Sequence, residues 1–321
     1  MIQTVVSAGL PVGENLMIQK KRMMGKQTEG PGSFGRISIV TGIHGDELEG
    51  QYVCYELARR LEEASEQLYG IVDIYPALNP LGMDTRHRAI PQFEMDMNRI
   101  FPGNRDGAVM ERVAASVVED LIGSDVCIDV HSSNAFNREV TQVRISQDFK
   151  ERLLPFAKLL NTEMIWLNAT ETVHESTLAH SMNMLGVPTL VVEMGLGAAI
   201  NMDYGNRIVD GILNLMREMG LWKGAVGQIR QPAVVLDSAI QFIRAQKEGI
   251  FLPSISHEAR VEKGEVLGRI VDVLHTSVQE EITAPCDGMV FTLREYPMVY
   301  EGALLMRILM EQGEESGQSC T

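Results

Sequence analysis

The sequence predicts an α/β domain on a mostly parallel, mixed sheet with helices on both faces, followed by a small C-terminal all-β domain. Three observations carry that expectation. Up to about Gly224, apolar runs of strand length alternate with segments of helical period, the pattern of a sheet whose crossovers are helices. The runs are almost free of charge, as in Ile37, Ile39, Val40 and Ile43, which suits strands covered on both faces. Beyond Gly224 only short β-type runs follow, punctuated by Gly and Pro. The expected boundaries are 1–224 for the first domain, 225–312 for the small β domain and 313–321 for a polar tail.

In chain order, residues 15–25 and 36–42 read as neighbouring strands joined by the turn-rich QTEGPGSFG. Leu48, Tyr52, Tyr55, Leu57 and Leu61 repeat at helical spacing, so a helix is expected from Glu47 to about Glu66 with His44 and Glu47 meeting at its first turn. IVDIYPALNP is a strand and a stop, because Pro76 and Pro80 prevent a long helix. Residues 81–103 have no clear period and mix Arg, Asp and Asn densely, and a loop of that length in a compact domain is usually functional. A helix over 107–122 leads into DVCIDVHSS, a buried strand with His131 at its end. Helices over 147–160, 176–185 and 203–219 alternate with strands at 164–167 and in PTLVVEMG, which ends on Glu193. AVVLDSAIQFIRAQ, EVLGRIVDV, GMVFTL and ALLMRIL supply the later β runs.

Composition excludes several classes. At 321 residues, 45% hydrophobic and 22% charged, the chain is long enough to bury a large core. A net charge of -15 argues against nucleic acid as a partner, since phosphate binding needs a basic face. No apolar run approaches the roughly 20 residues that span a bilayer. The start MIQTVVSAGLPVGENL has no basic segment followed by an apolar core, so a cytoplasmic protein is expected. Cys54, Cys127, Cys286 and Cys320 lack metal-knuckle spacing and read as reduced thiols. Ser132 and Ser133 lack the glycine setting of a nucleophile elbow.

The chemistry is carried by strand ends. In an open parallel sheet ligands bind beyond the carboxyl ends of the strands, where Gly42, His44 and Gly45 fall. His44 and Glu47 offer one nitrogen and one oxygen donor of the kind zinc accepts, although a bare His-x-x-Glu is common on helix surfaces. His131 and Glu193 stand at the ends of two further apolar strands, and burying such groups is costly unless they are paired or metal-bound. Two imidazoles and one carboxylate leave a fourth zinc position for water, and Glu193 can accept that water's proton. The bland alternative for Glu193 is a salt-bridged strand end.

GIHGDELEG, ALNPLGMDTR, DMNRIFPG, IDVHSS and VVEMG occur in that order across about residues 36–200. With these motifs the sequence resembles the succinylglutamate desuccinylase and aspartoacylase family, a branch of the zinc carboxypeptidase superfamily. The resemblance implies one zinc per chain on His44, Glu47 and His131, with Glu193 as general base and later general acid. It also implies that Asn98 and Arg99 grip a substrate carboxylate and that Arg86 polarises the scissile carbonyl or holds another acidic group. Arg88 is the alternative to Arg86. Asp96 resembles the family's carboxylate behind a ligand histidine, and Asp129, on the strand face of His131 by period-two alternation, suits the same task. Arginine's planar fork matches a carboxylate, and a neighbouring Asn adds directional bonding.

ARVEKGEVLGRIVD, EITAPCDGMVFTL and PMVYEGALLMRIL resemble the biotinyl/lipoyl-like β-barrel that accompanies many members. The hairpin-tip stretch VLHTSVQEE holds no lysine to modify, so a structural or gating role at the active-site mouth is expected instead. His174 follows Glu171 at a rival ligand spacing but reads as surface, His180 as helix packing, and His87, His257 and His275 carry no assignment.

The function expected is a zinc-dependent amidohydrolase that deacylates an N-acyl amino acid or related small amine, with a carboxylate on the substrate. A metallocarboxypeptidase or peptide amidase, and a non-catalytic binding protein on the same fold, are the alternatives. Self-association is compatible with each of them.

Overall fold

The computed structural model describes residues 1–26, 35–168 and 176–311. The connection read at 27–34, Glu171, His174, Cys320 and the tail at 313–321 lie outside the described residues. The chain forms two compact units, Met1–Ala135 with Thr141–Val234, and Phe136–Val140 with Val235–Thr321.

The first unit contains β1 (Ile2–Gly9), β2 (Asn15–Met24), β3 (Arg36–Thr41), α1 (Glu49–Glu63), β4 (Ile71–Tyr75), α2 (Pro80–Thr85), α3 (Val109–Leu121), β5 (Val126–Ser132), β6 (Asn137–Ser146), α4 (Lys150–Ala157), β7 (Met164–Asn168), α5 (Leu178–Met184), β8 (Thr189–Gly195) and α6 (Met202–Glu218). The first residues of β6 belong to the second unit. Its sheet runs β1-β2-β4-β3-β5-β8-β6, with β7 paired to β6. β3 is parallel to β4 and β5, β5 to β8 and β6 to β7, whereas β1–β2 and β2–β4 are antiparallel. The sheet is therefore mixed, with a parallel centre.

Strand alternation sorts side chains into two cores. Ile37 and Ile39 of β3 and Val126, Ile128 and Val130 of β5 pack with α1, α4 and α6. Val40 and Cys127 point the other way, into a core with α3 and α5. A period of two with apolar residues in both phases is what covering helices on each face demand.

Four expectations change. β2 and β3 are not sheet neighbours, because β4 lies between them. The α1 crossover returns the chain parallel to β3, which takes the pairing edge that β2 would have used. The stretch read as irregular from Leu81 begins in a short helix, α2, which Pro80 opens: its missing N–H is needed by no partner at the first position, and Asn79 Oδ1 accepts from Gly82 N at 2.9 Å. His44 and Glu47 lie on the turn before α1, not in its first turn. β1 and β6 are strands the sequence did not announce, β1 because it lies at the sheet edge and is exposed along alternate positions.

A charged network centred on Asp73 is buried in this unit. Asp73 on β4 is fully buried and receives Arg22 Nη2 at 2.6 Å, Arg36 Nε at 2.9 Å and Lys20 Nζ at 3.3 Å. Lys20 Nζ also lies 2.6 Å from Asp120 Oδ2, which accepts from Tyr75 Oη at 2.6 Å. Burial works against the charged form of Asp73, but Arg22, Lys20 and Arg36 outweigh it and hold its carboxyl below the usual range.

The second unit carries β10 (Ile240–Arg244), β11 (Gly249–Pro253), β12 (Arg260–Val261), β13 (Val266–Asp272), β14 (Ser277–Thr283), β15 (Gly288–Arg294), β16 (Met298–Val299) and β17 (Leu304–Met310), while β9 (Ala233–Leu236) crosses the boundary. One sheet runs β14-β13-β11-β16, and β15 pairs with β12 and β17, and β17 with β10. Phe251, Leu267, Ile270, Val290, Leu305 and Ile308 fill its core. Its described residues include no α-helix. Residues 273–276 turn the β13–β14 hairpin, leaving Leu274 86% exposed.

Asp73→Asn removes the anion that three cations face, and an unfolding titration in urea should show a loss of about 3–5 kcal/mol. The folded pKa of Asp73 is depressed, so its stabilisation is present above the unfolded value near ~4 and fades as pH falls through the folded value. The gap between wild type and variant should accordingly narrow in acid; a gap that widens there would contradict the network.

Candidate metal centre

β3 ends at Thr41, and Gly42 turns the chain with a φ of 66°. The following turn is pressed against the start of α2: a Cβ on Gly45 would lie 2.0 Å from the Gly82 carbonyl carbon, so only glycine permits the approach. Gly45 N also points to Arg88 O at 3.4 Å, which ties this turn to the loop carrying Arg88 and Asp96.

This packing sets His44 and Glu47 beside His131 of β5. One ligand atom from each of the three lies within 4.8 Å of the others, and all three residues are buried. Glu47 faces both imidazoles, with Oε1 2.7 Å from His44 Nδ1 and Oε2 2.9 Å from His131 Nδ1. The backbone N–H of Ser132 also donates to Glu47 Oε2, at 3.2 Å. The imidazole planes are inclined by 47° with centroids 5.0 Å apart.

Each histidine has its own carboxylate at the far nitrogen. His44 Nε2 lies 3.2 Å from Asp96 Oδ1, and His131 Nε2 lies 3.1 Å from Asp129 Oδ2. Asp96 and Asp129, which the sequence left as rivals for one task, thus each face one histidine. Such a partner fixes the ring and directs Nδ1 at Glu47.

The electrostatics describe a site short of positive charge. Burial opposes the His44 imidazolium, but Asp96 and Glu47 outweigh it and raise its pKa. Burial likewise opposes charge on His131, and Asp129 and Glu47 raise it well above the ordinary value. Glu47 is held far below the usual carboxylate range despite burial, by His131 and then His44. Asp96 is lowered too, against burial, chiefly by His44. Buried His44 Nδ1 has no hydrogen-bond partner although Glu47 Oε1 is 2.7 Å away, so the two atoms converge without an N–H aimed between them. A divalent cation suits that arrangement, since it takes up imidazole and carboxylate lone pairs and releases the protons.

Glu193 of β8 is in register with His131 across the β5–β8 pairing, so the two side chains leave the same face. Arg144 Nη1 lies 3.4 Å from Glu193 Oε1. Neither Arg144 nor the strand that bears it was singled out in the sequence, although an arginine between Val143 and Ile145 was the available signal.

Asn98 is buried, and its Oδ1 accepts from Leu178 N at 2.9 Å, capping α5. Its N–H donates to Asp96 Oδ1 at 2.8 Å, and Arg99, exposed, donates through Nη1 to Asn98 O at 2.8 Å. Arg86 is exposed and ends α2 with a φ of 59°. Arg88 is exposed as well, but its head group reaches the cluster, where Nη1 donates to Glu47 Oε1 at 3.0 Å and Nε lies 3.4 Å from Asp96 Oδ2. Of the two arginines, Arg88 is the one in contact with the group. His180 packs edge-on to Phe149 with centroids 5.6 Å apart and is not part of the His44, Glu47 and His131 group.

The protein is thus an α/β protein with a buried His-Glu-His group, able to hold a metal ion, at the carboxyl ends of parallel strands. The family described as succinylglutamate desuccinylase/aspartoacylase catalytic domain matches residues 33–219, more than half of the sequence, and the chain belongs to that family. It is a family of deacylases. The chain is 26% identical over 300 residues to the N-alpha-acetyl-L-2,4-diaminobutyric acid deacetylase of Halomonas elongata, covering 91% of its own length and 85% of the relative's. Its fold is similar to that of a succinylglutamate desuccinylase/aspartoacylase from Rhodobacter sphaeroides, with a TM-score of 0.80 at 23% identity over 97% of this chain and 96% of that one. The product-bound ectoine utilization protein EutE (DoeB) of Ruegeria pomeroyi gives a TM-score of 0.79 at 21% identity over 95% and 93% of the two chains.

Gly45→Ala tests the packing that assembles the centre. The added methyl must displace the Gly82 backbone, and thermal or urea unfolding should show a loss of about 1–3 kcal/mol. Unchanged stability would mean that the two turns are not held in contact.

Proposed function

We propose that this protein is a zinc-dependent amidohydrolase that removes the acyl group from a small N-acyl amino acid or N-acyl diamine. The observation that carries the reading is the convergence of His44, Glu47 and His131 with Glu193 in register beside His131. Family membership and the diaminobutyrate deacetylase relative support it.

In this reading His44, Glu47 and His131 hold one zinc per chain, with Asp96 and Asp129 orienting the two imidazoles. When bound, zinc lowers the pKa of a water and polarises the acyl carbonyl. Glu193 takes a proton from the attacking water as its oxygen bonds to the acyl carbon, and returns that proton to the amine nitrogen as the carbon–nitrogen bond breaks. Arg88, in preference to Arg86, faces the carbonyl oxygen where negative charge develops. Arg99 and the amide nitrogen of Asn98, whose oxygen is engaged at α5, bind a substrate carboxylate. Residues 1–224 form the catalytic domain in this account, and 225–312 a biotinyl/lipoyl-like barrel. That barrel is not lipoylated or biotinylated, since the β13–β14 turn, residues 273–276, offers no lysine.

Purified protein should carry about one zinc per chain by elemental analysis, lose turnover on chelation and regain it with zinc. The informative substrates are Nα-acetyl-L-2,4-diaminobutyric acid, N-succinylglutamate, N-acetylaspartate and related acyl diamines. Turnover of none of them by the zinc-loaded protein would sink the deacylase reading. Glu193→Gln should keep the zinc while kcat falls by roughly 10²–10⁴-fold. Full activity in that variant would remove Glu193 from the chemistry.

A further inference from the structure

Beyond the residues that motifs point to, four neighbouring strands set a row of side chains on one face of the sheet. His131 and Glu193 are paired across β5 and β8, and Arg144 and Trp166 are paired across β6 and β7. β8 and β6 are themselves adjacent. The flanking residues Val130, Val192, Met194, Val143, Ile145, Ile165 and Leu167 all enter the core with α1, α4 and α6, so the row occupies the opposite face. Along it the guanidinium of Arg144 lies 3.4 Å from Glu193 Oε1 and has its Cζ 5.2 Å from the centroid of the Trp166 ring. Trp166 is buried, and Arg144 and Glu193 are partly exposed.

We propose that Arg144, braced by Trp166, is a positioning residue for Glu193: it orients the carboxylate that exchanges the proton without touching the reacting atoms. The proposal rests on the reading of Glu193 as general base. A glutamate has three side-chain torsions, and a strand-end glutamate open to solvent on one side samples several of them. An ion pair with the guanidinium narrows that choice, and the indole beneath the guanidinium limits it in turn. Lysine retains the charge but has no planar fork and no comparable stacking. Orientation of a reacting group is worth a large factor, since a displacement of about 1 Å can cost roughly 10²-fold in rate.

The test uses the full-length, zinc-loaded protein with Nα-acetyl-L-2,4-diaminobutyric acid as probe. Arg144→Gln should lower kcat by roughly 10²-fold with little change in KM. Arg144→Lys should fall between it and wild type, and Trp166→Leu should lower kcat less than Arg144→Gln does. Free guanidinium ion should restore part of the rate of Arg144→Ala. In a Glu193→Gln background Arg144→Gln should cost nothing more, because the two act as one unit. A crystal structure of Arg144→Gln supplies a readout apart from activity, and the Glu193 carboxylate should be displaced or spread over rotamers in it while His131 stays in place. The idea is overturned if kcat is retained, if KM alone rises, which would make Arg144 a substrate anchor, or if Glu193 is unmoved. Loss of turnover in Glu193→Gln but not in Arg144→Gln defeats only this inference; retention in Glu193→Gln, or no turnover by wild type of this probe or of any other acyl substrate named above, defeats the reading beneath it, and the crystal structure still decides whether Arg144 positions Glu193.

Discussion

The structure around the carboxyl ends of β3, β5 and β8 depends on one constraint: ionisable groups taken out of water must be compensated where they stand. Glu47, His44 and His131 are each less than 5% exposed, and Asp129 is 1% exposed. Leaving such groups unpaired would cost several kcal/mol apiece. The cluster answers with an alternation of charge, Asp96 to His44 to Glu47 to His131 to Asp129. Carboxylates outnumber imidazoles along that path, and the high pKa values of the histidines express the resulting demand for positive charge. A bound divalent cation would meet the same demand without protons.

The fold satisfies that demand with rigid parts. His131 sits on a strand buried along its whole length, and His44 and Glu47 sit on a turn that is pinned by the Gly45–Gly82 approach. Asp96 belongs to a long connection, but its carboxylate also accepts from the backbone of Asn98, whose side chain in turn accepts from the first N–H of α5. The site is therefore built from pieces distant in sequence whose positions are fixed by sheet register and close backbone packing. Preorganisation of this kind is what a metal-assisted acyl transfer requires.

Much of this was legible in the sequence. β3, β5 and β8 are apolar over most of their length and carry His or Glu near or just beyond their carboxyl ends, so strand, burial and ionisable terminus are visible together. Helices α1, α3, α5 and α6 show through their apolar period for the same reason. Sheet order was less legible: β2 and β3 look adjacent because they are consecutive, and pairing between strands separated by a helix is written in register, which local patterns do not encode. At the site, His44, Glu47, His131 and Glu193 were named because strand ends are informative. Arg88 could not be separated from Arg86, because which of them reaches Glu47 depends on the path of the backbone after the left-handed residue Arg86. Asn98 was read for its chemistry alone, and its capping bond to Leu178 joins residues too far apart for any spacing rule. Arg144 was missed because its significance lies across strands, opposite Glu193 and Trp166, and not along its own.

The central claim is that the buried His-Glu-His group is a zinc centre. Anomalous diffraction at the zinc edge from crystals grown with zinc tests it most directly. The account predicts one strong peak bounded by Nδ1 of His44, Nδ1 of His131 and the Glu47 carboxylate, at about 2.0–2.2 Å from each ligand atom. A zinc-saturated crystal with no peak there, or with its zinc held by other residues, would contradict it.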